Sequence, residues 1–112
     1  MSVLEFAGRV QTSFQIGGNY FDLIEFKPIT DRWLDYQIEL TSGTNQQDLL
    51  RLLVVPEDPL DLTAPLIQET TSELANVLQS NNDFAFALVP VSMQELTRSR
   101  TSGKVIRIVD RR

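Results

Sequence analysis

With 112 residues, 42% of them apolar and 22% charged, the chain has room for one hydrophobic core and too many large apolar side chains to stay disordered. It contains neither cysteine nor histidine, which excludes disulfides, thiolate nucleophiles, Cys/His zinc centres, haem and iron–sulfur ligation, and every Ser–His or Cys–His dyad. The net charge of −5 divides unevenly: residues 1–97 hold four basic groups against fourteen acids, whereas Arg98–Arg112 hold six basic groups against Asp110 alone.

Val10, Thr12, Phe14 and Ile16 alternate with Gln11, Ser13 and Gln15, which predicts a strand with one buried face. Gly17-Gly18-Asn19 predicts a tight turn, and Tyr20 to Phe26 a returning strand, so the chain opens with a hairpin. Pro28 ends that strand by withholding a ladder donor. The next expected strand, Trp33 to Leu40, sets Leu34, Tyr36, Ile38 and Leu40 on one face and Trp33, Asp35, Gln37 and Glu39 on the other. Ser42 to Asn45 is a loop by composition. Leu49 to Val55 is apolar on both faces except at Arg51 and suits a central strand, although residues 48–53 equally fit a short helix.

Pro56-Glu57-Asp58-Pro59 breaks the chain, after which Leu66, Ile67, Leu74, Val77 and Leu78 fall on one helical face. Asp61 or Thr63 suits the cap of that helix, Pro65 its first turn, and Ser80 to Asp83 its close. Phe84 to Val89 reads as a strand. Ser92-Met93-Gln94-Glu95 has capping-box spacing and predicts a short helix to about Arg100, with Gly103 near its C′ position. Lys104 to Asp110 is the last expected strand.

This order predicts one α+β domain over residues 1–112. Its expected form is two-layered: a mainly antiparallel sheet of about five to six strands, opened by a hairpin or meander, with two helices. If Leu49–Val55 and Phe84–Val89 pair in parallel, the long helix is their crossover.

Without imidazole or thiol, an enzyme built on this chain would need carboxylates, lysine, tyrosine or a hard metal ion. Asp22 followed by Glu25-Phe26-Lys27 resembles the way PD-(D/E)xK nucleases present metal-binding carboxylates and a lysine to a phosphodiester. The resemblance covers only those residues, and that family sets its first acid further upstream than Asp22 lies from Glu25. The plain alternative is an outward acid and lysine on an edge strand. Glu57, Asp58 and Asp61 are a second carboxylate group able to attract Ca²⁺ or Mg²⁺, though they lack EF-hand spacing and also suit a solvated loop before a helix. Gly17-Gly18 fits neither the Walker pattern nor G-x-G-x-x-G, so it reads as a hairpin turn, not a phosphate cradle.

Two features point to contact instead of chemistry. Trp33, the only tryptophan, is either an exposed interface anchor or a core ring beneath a helix. Arg98, Arg100, Lys104 and Arg107 form a basic end suited to an anionic surface: the chain's own body, a second copy, or a foreign partner. No aromatic residue is interleaved with these cations, which disfavours nucleic acid. The longest uninterrupted apolar run, Leu52 to Val55, falls far short of a bilayer span, and Met1 to Phe6 lacks the basic start of a signal peptide. The expectation is therefore a small, cytoplasmic, non-catalytic interaction protein with no cofactor, partnered by another protein or by itself as a homodimer. Its competitors are a metal-dependent, carboxylate-based nuclease-like enzyme using Asp22, Glu25 and Lys27, and a nucleic-acid accessory using the basic end.

Overall fold

The computed structural model describes residues 11–43, 47–78 and 84–112. Within them the chain is α+β: six strands in sheets of two and four, with two α-helices. The hairpin forms as its sequence dictates. β1 (Ser13–Ile16) pairs antiparallel with β2 (Asn19–Asp22), and Gly17 and Gly18 turn the chain with φ of 56° and 78°, a region that glycine enters freely. The expected strand start at Val10 lies outside the described residues.

The strand predicted to reach Phe26 stops at Asp22. Asp22 caps a 3₁₀ turn, Leu23–Phe26: its carboxylate accepts from the Ile24 amide at 3.2 Å, while Glu25 Oε2 accepts from the Asp22 amide at 2.7 Å. This is a capping box, and it turns the chain into α1 (Lys27–Thr30), with Pro28 tolerated in the first turn.

β3 (Asp35–Ser42) and β4 (Asp48–Val55) form the antiparallel centre of the four-stranded sheet, so residues 48–53 are strand. β5 (Phe84–Pro90) flanks β4 in parallel, and β6 (Ile108–Asp110) flanks β3 in parallel. The crossover from β4 to β5 is α2 (Ala64–Leu78), where Thr63 Oγ1 accepts from the Leu66 amide and Leu74 and Leu78 are buried. The expected helix close at Ser80 to Asp83 lies outside the described residues, as do Thr44 and Asn45 of the expected loop.

Side-chain alternation divides the core between the two faces of the sheet. On the first face Ile38, Leu40, Leu50, Leu52 and Val54 pack with Leu74, Leu78, Phe84 and the aromatic group Phe14, Phe21 and Phe26. On the second face Leu53 and Val55 meet Leu96, with Val89, Val91, Met93 and Val105 around them. β4 is apolar on both faces because both are covered.

Three expectations change. Trp33 precedes β3 instead of lying on it and is 6% exposed, so its indole is a core group and not an exposed anchor. The helix expected over Ser92 to Arg100 is a 3₁₀ turn of three residues, Met93–Glu95. There the Ser92 hydroxyl bonds the Glu95 carboxylate itself, the cap is not made, and burial of Leu96 in the second cluster draws the chain into extended geometry. Gly103 ends no helix; it sits at φ 71° in a hairpin turn, and the last strand is only Ile108–Asp110. No helix among the described residues is long and apolar enough to cross a membrane.

Candidate functional site

The segment after β5 covers the second face of the sheet, and a buried amide fixes it there. Gln37 is 1% exposed. Its Nε2 donates to the Thr97 carbonyl at 2.8 Å and to the Ile106 carbonyl at 2.7 Å, and its Oε1 accepts from the Thr97 amide at 3.2 Å. The Ile106 amide in turn donates to the Thr97 carbonyl at 3.0 Å, which closes the base of a hairpin. The hairpin continues through the Arg98–Val105 bridge, the Ser99 amide to the Lys104 carbonyl at 2.8 Å, and the Gly103 amide to the Ser99 carbonyl at 2.9 Å.

Hydroxyls hold the tip. Ser99 Oγ lies 3.0 Å from Thr101 Oγ1 and accepts from the Thr101 and Ser102 amides, while Ser102 Oγ accepts from the Lys104 amide. The Arg98 guanidinium donates to the Gly103 carbonyl across the turn. Ser99 to Gly103 is turn-rich in composition, and that was the available signal for this loop. Gln37 carried no such signal, since its role depends on residues some sixty positions away.

The basic end separates into two groups. Arg107 pairs with Asp35, donates to the Tyr36 carbonyl at 2.7 Å, and lies 4.5 Å from the Tyr36 ring centroid. Arg111 reaches Glu39 at 3.0 Å, and Glu39 also holds Arg51 at 2.8 Å. Arg112 joins Asp48 at 2.9 Å and Asp110 at 2.8 Å. This group docks on the chain's own acidic body. Arg98, Arg100 and Lys104 are exposed and have no carboxylate partner among the described residues. They share one hairpin and form the candidate site.

The expected carboxylate sites are not assembled this way. Asp22 and Glu25 cap their turn, and Lys27 pairs with Asp31 at 3.3 Å. Asp58 caps the Pro59–Asp61 turn through the Leu60 amide, while Glu57 lines a recess with Asp31, Arg32, Trp33, Pro56 and Leu66. The side chain of Asp61 lies outside the described residues. Among the described residues no three acidic groups converge as a metal site would require. The Trp33 Nε1–H is buried and meets no acceptor among the described residues.

Burial raises the Tyr36 phenol above its ordinary value near 10, and Arg107 opposes that rise. The hydrogen bond from Arg112 holds Asp110 below the usual carboxylate range and keeps Arg112 protonated.

No family model and no curated sequence matches the chain. Solved structures do. A domain of phenylacetate-coenzyme A ligase from Bacteroides vulgatus is similar over 89% of this chain and 92% of that one, with a TM-score of 0.58 and 19% identity. A 2-hydroxyisobutyryl-CoA ligase, in the postadenylation state in complex with R3-HIB-AMP, is similar over 94% of this chain, with a TM-score of 0.54 and 19% identity. The chain spans only 23% of that second protein. At this identity the likeness is one of fold alone: an α+β arrangement shared with part or most of each of these chains.

Two outcomes are expected. Gln37→Leu leaves the Thr97 amide and two carbonyls without side-chain partners. It should lower stability in urea by about 2–4 kcal/mol, given ~1–3 kcal/mol per buried polar group left unpaired; a change within about 0.5 kcal/mol contradicts the arrangement. Tyr36, followed by phenolate absorbance in a Tyr20→Phe background, should titrate above the free phenol, and Arg107→Gln should raise it further, since Arg107 favours the phenolate. The linked stability is complete below the unfolded value near 10 and is lost as pH rises through the folded value. A fall in the Tyr36 pKa on Arg107 replacement contradicts the assigned cause.

Proposed function

We propose that this chain is an accessory domain of CoA-ligase type, working in the cytoplasm by docking on a larger catalytic body and presenting the Arg98–Arg100–Lys104 hairpin to an anionic group held there. One observation carries the reading. Three cations sit on a hairpin fixed at its base by Gln37, and none has a carboxylate partner among the described residues, whereas Arg107, Arg111 and Arg112 are all ion-paired. Cations on a braced backbone, free of carboxylate partners among the described residues, suit recognition of a phosphate or carboxylate, because no ion pair has to be broken at the moment of binding.

The fold likeness supports the same reading. One similar structure is described as a domain of a CoA ligase, and in the other the matching part is less than a quarter of the protein. Such a fold, small and acidic in its body, suits a part that completes a site instead of enclosing one. The role agrees with the expectation of an interaction protein: contact and charge are its means, and Lys104, as a compact point charge directly after the turn glycine Gly103, is its leading group.

The test is a titration of the isotope-labelled chain with ATP and, separately, coenzyme A, followed by amide shifts. The perturbations should concentrate on residues 98–104 and weaken in Lys104→Gln. They should also fade as salt rises from ~0.01 to ~0.15 M, where the screening length falls from about 30 to about 8 Å. Shifts absent at millimolar ligand, or centred away from the hairpin, contradict the proposal.

A further inference from the structure

The edge of the four-stranded sheet formed by β5 carries no charge. Phe84-Ala85-Phe86-Ala87-Leu88-Val89-Pro90 contains no ionisable side chain, and among the described residues no strand pairs with its far side. Soluble proteins usually blunt such an edge with lysine, a bulge or a covering element, because a bare strand edge recruits another strand.

The direction of its backbone groups follows from one bond. The Val91 amide donates to the Val54 carbonyl at 2.9 Å, immediately beyond the parallel register that pairs Val54 with Pro90. Alternate residues of a parallel strand address opposite neighbours. Ala85, Ala87 and Val89 therefore face β4 with their backbone groups, and Phe84, Phe86 and Leu88 direct theirs to the open edge. Pro90 belongs to the outward set, so its missing N–H is missing on the open side, where an edge strand tolerates proline.

We infer that this edge pairs with the same edge of a second copy, antiparallel about a two-fold axis at Phe86. The outward residues are symmetric about that point: Phe86 meets Phe86 of the copy, and Phe84 meets Leu88. Every outward N–H of these residues then finds a carbonyl. Pro90 falls beyond the paired stretch and leaves no gap in it. The half-buried Phe86 and Leu88, which pack against the first-face core, gain cover from their counterparts across the axis. With no charge on either strand, no like-charge pair opposes the contact, although the chain as a whole carries −5. The occupant is a second copy because an isologous contact requires a self-complementary patch, and this strand supplies one. This edge, residues 84–90, is distinct from the cationic hairpin, residues 98–104, and its pairing does not depend on the role proposed for that hairpin.

Sedimentation equilibrium of the full chain tests it. The wild type should dimerise in the micromolar range. In the double variant Ala85→Lys/Ala87→Lys each lysine meets one of the copy's, and dimerisation should weaken at least tenfold. Ala85 is exposed, so Ala85→Lys alone provides a folded control, checked by circular dichroism, that should weaken the dimer in the same direction. A wild-type chain that stays monomeric through the micromolar range overturns the inference. So does a dimer unaffected by Ala85→Lys.

Discussion

A primary amide cut off from water has to satisfy its two donors and its acceptor within the fold, and Gln37 does so on the backbone of the segment that follows β5. Each of those bonds contributes only about 1 kcal/mol net, but leaving any one unmade costs more than making it gains. The asymmetry makes the contact a constraint: with Gln37 in place the hairpin base has one position. Because Gln37 lies on the same face as Leu53 and Val55, the hairpin also closes the second apolar cluster, in which Leu96 is buried. Extension, hairpin and last strand then follow in order along β3, with the Ile38 amide donating to the Arg107 carbonyl and the Arg111 amide to the Leu40 carbonyl.

The charge division of the chain takes its meaning from this placement. β3 offers Asp35 and Glu39, and β4 offers Asp48, to a strand laid alongside them. Surface pairs such as Arg111–Glu39 and Arg112–Asp48 are worth about 0–1 kcal/mol each, so they select position and register more than they hold the fold together. Arg107 goes further, since its guanidinium also caps a backbone carbonyl and covers the Tyr36 ring. What is left without a carboxylate partner among the described residues is the hairpin, which carries Arg98, Arg100 and Lys104 on a turn held by serine and threonine hydroxyls.

Local chemistry made the first hairpin, the α2 helix and the break at Pro56 legible, because alternation, glycine turns and a 3.6-residue stripe each leave a short-range pattern. Asp22 and Glu25 show how one residue pair supports two readings: the spacing that suggested metal ligands is also that of a capping box, and the backbone donors were nearer. For Ser92 and Glu95 the opposite happened, since a carboxylate–hydroxyl bond and the burial of Leu96 outweighed a cap. Parity misplaced Trp33 only because the strand begins two residues later than its pattern implied. The parallel seating of β6, and with it the division of the basic end into paired and unpaired cations, depends on contacts between residues about seventy apart, which no local pattern encodes.

The cations are held in place only if the hairpin is as firm as the sheet beneath it. Native-state hydrogen exchange of the Thr97 and Ile106 amides reads this directly, against Ile38 as a sheet amide and Thr101 as a tip amide. Thr97 and Ile106 should exchange as slowly as Ile38 and should speed up selectively in Gln37→Leu. Exchange of both at the rate of Thr101 in the unaltered chain would contradict the claim that the buried amide fixes the cationic tip.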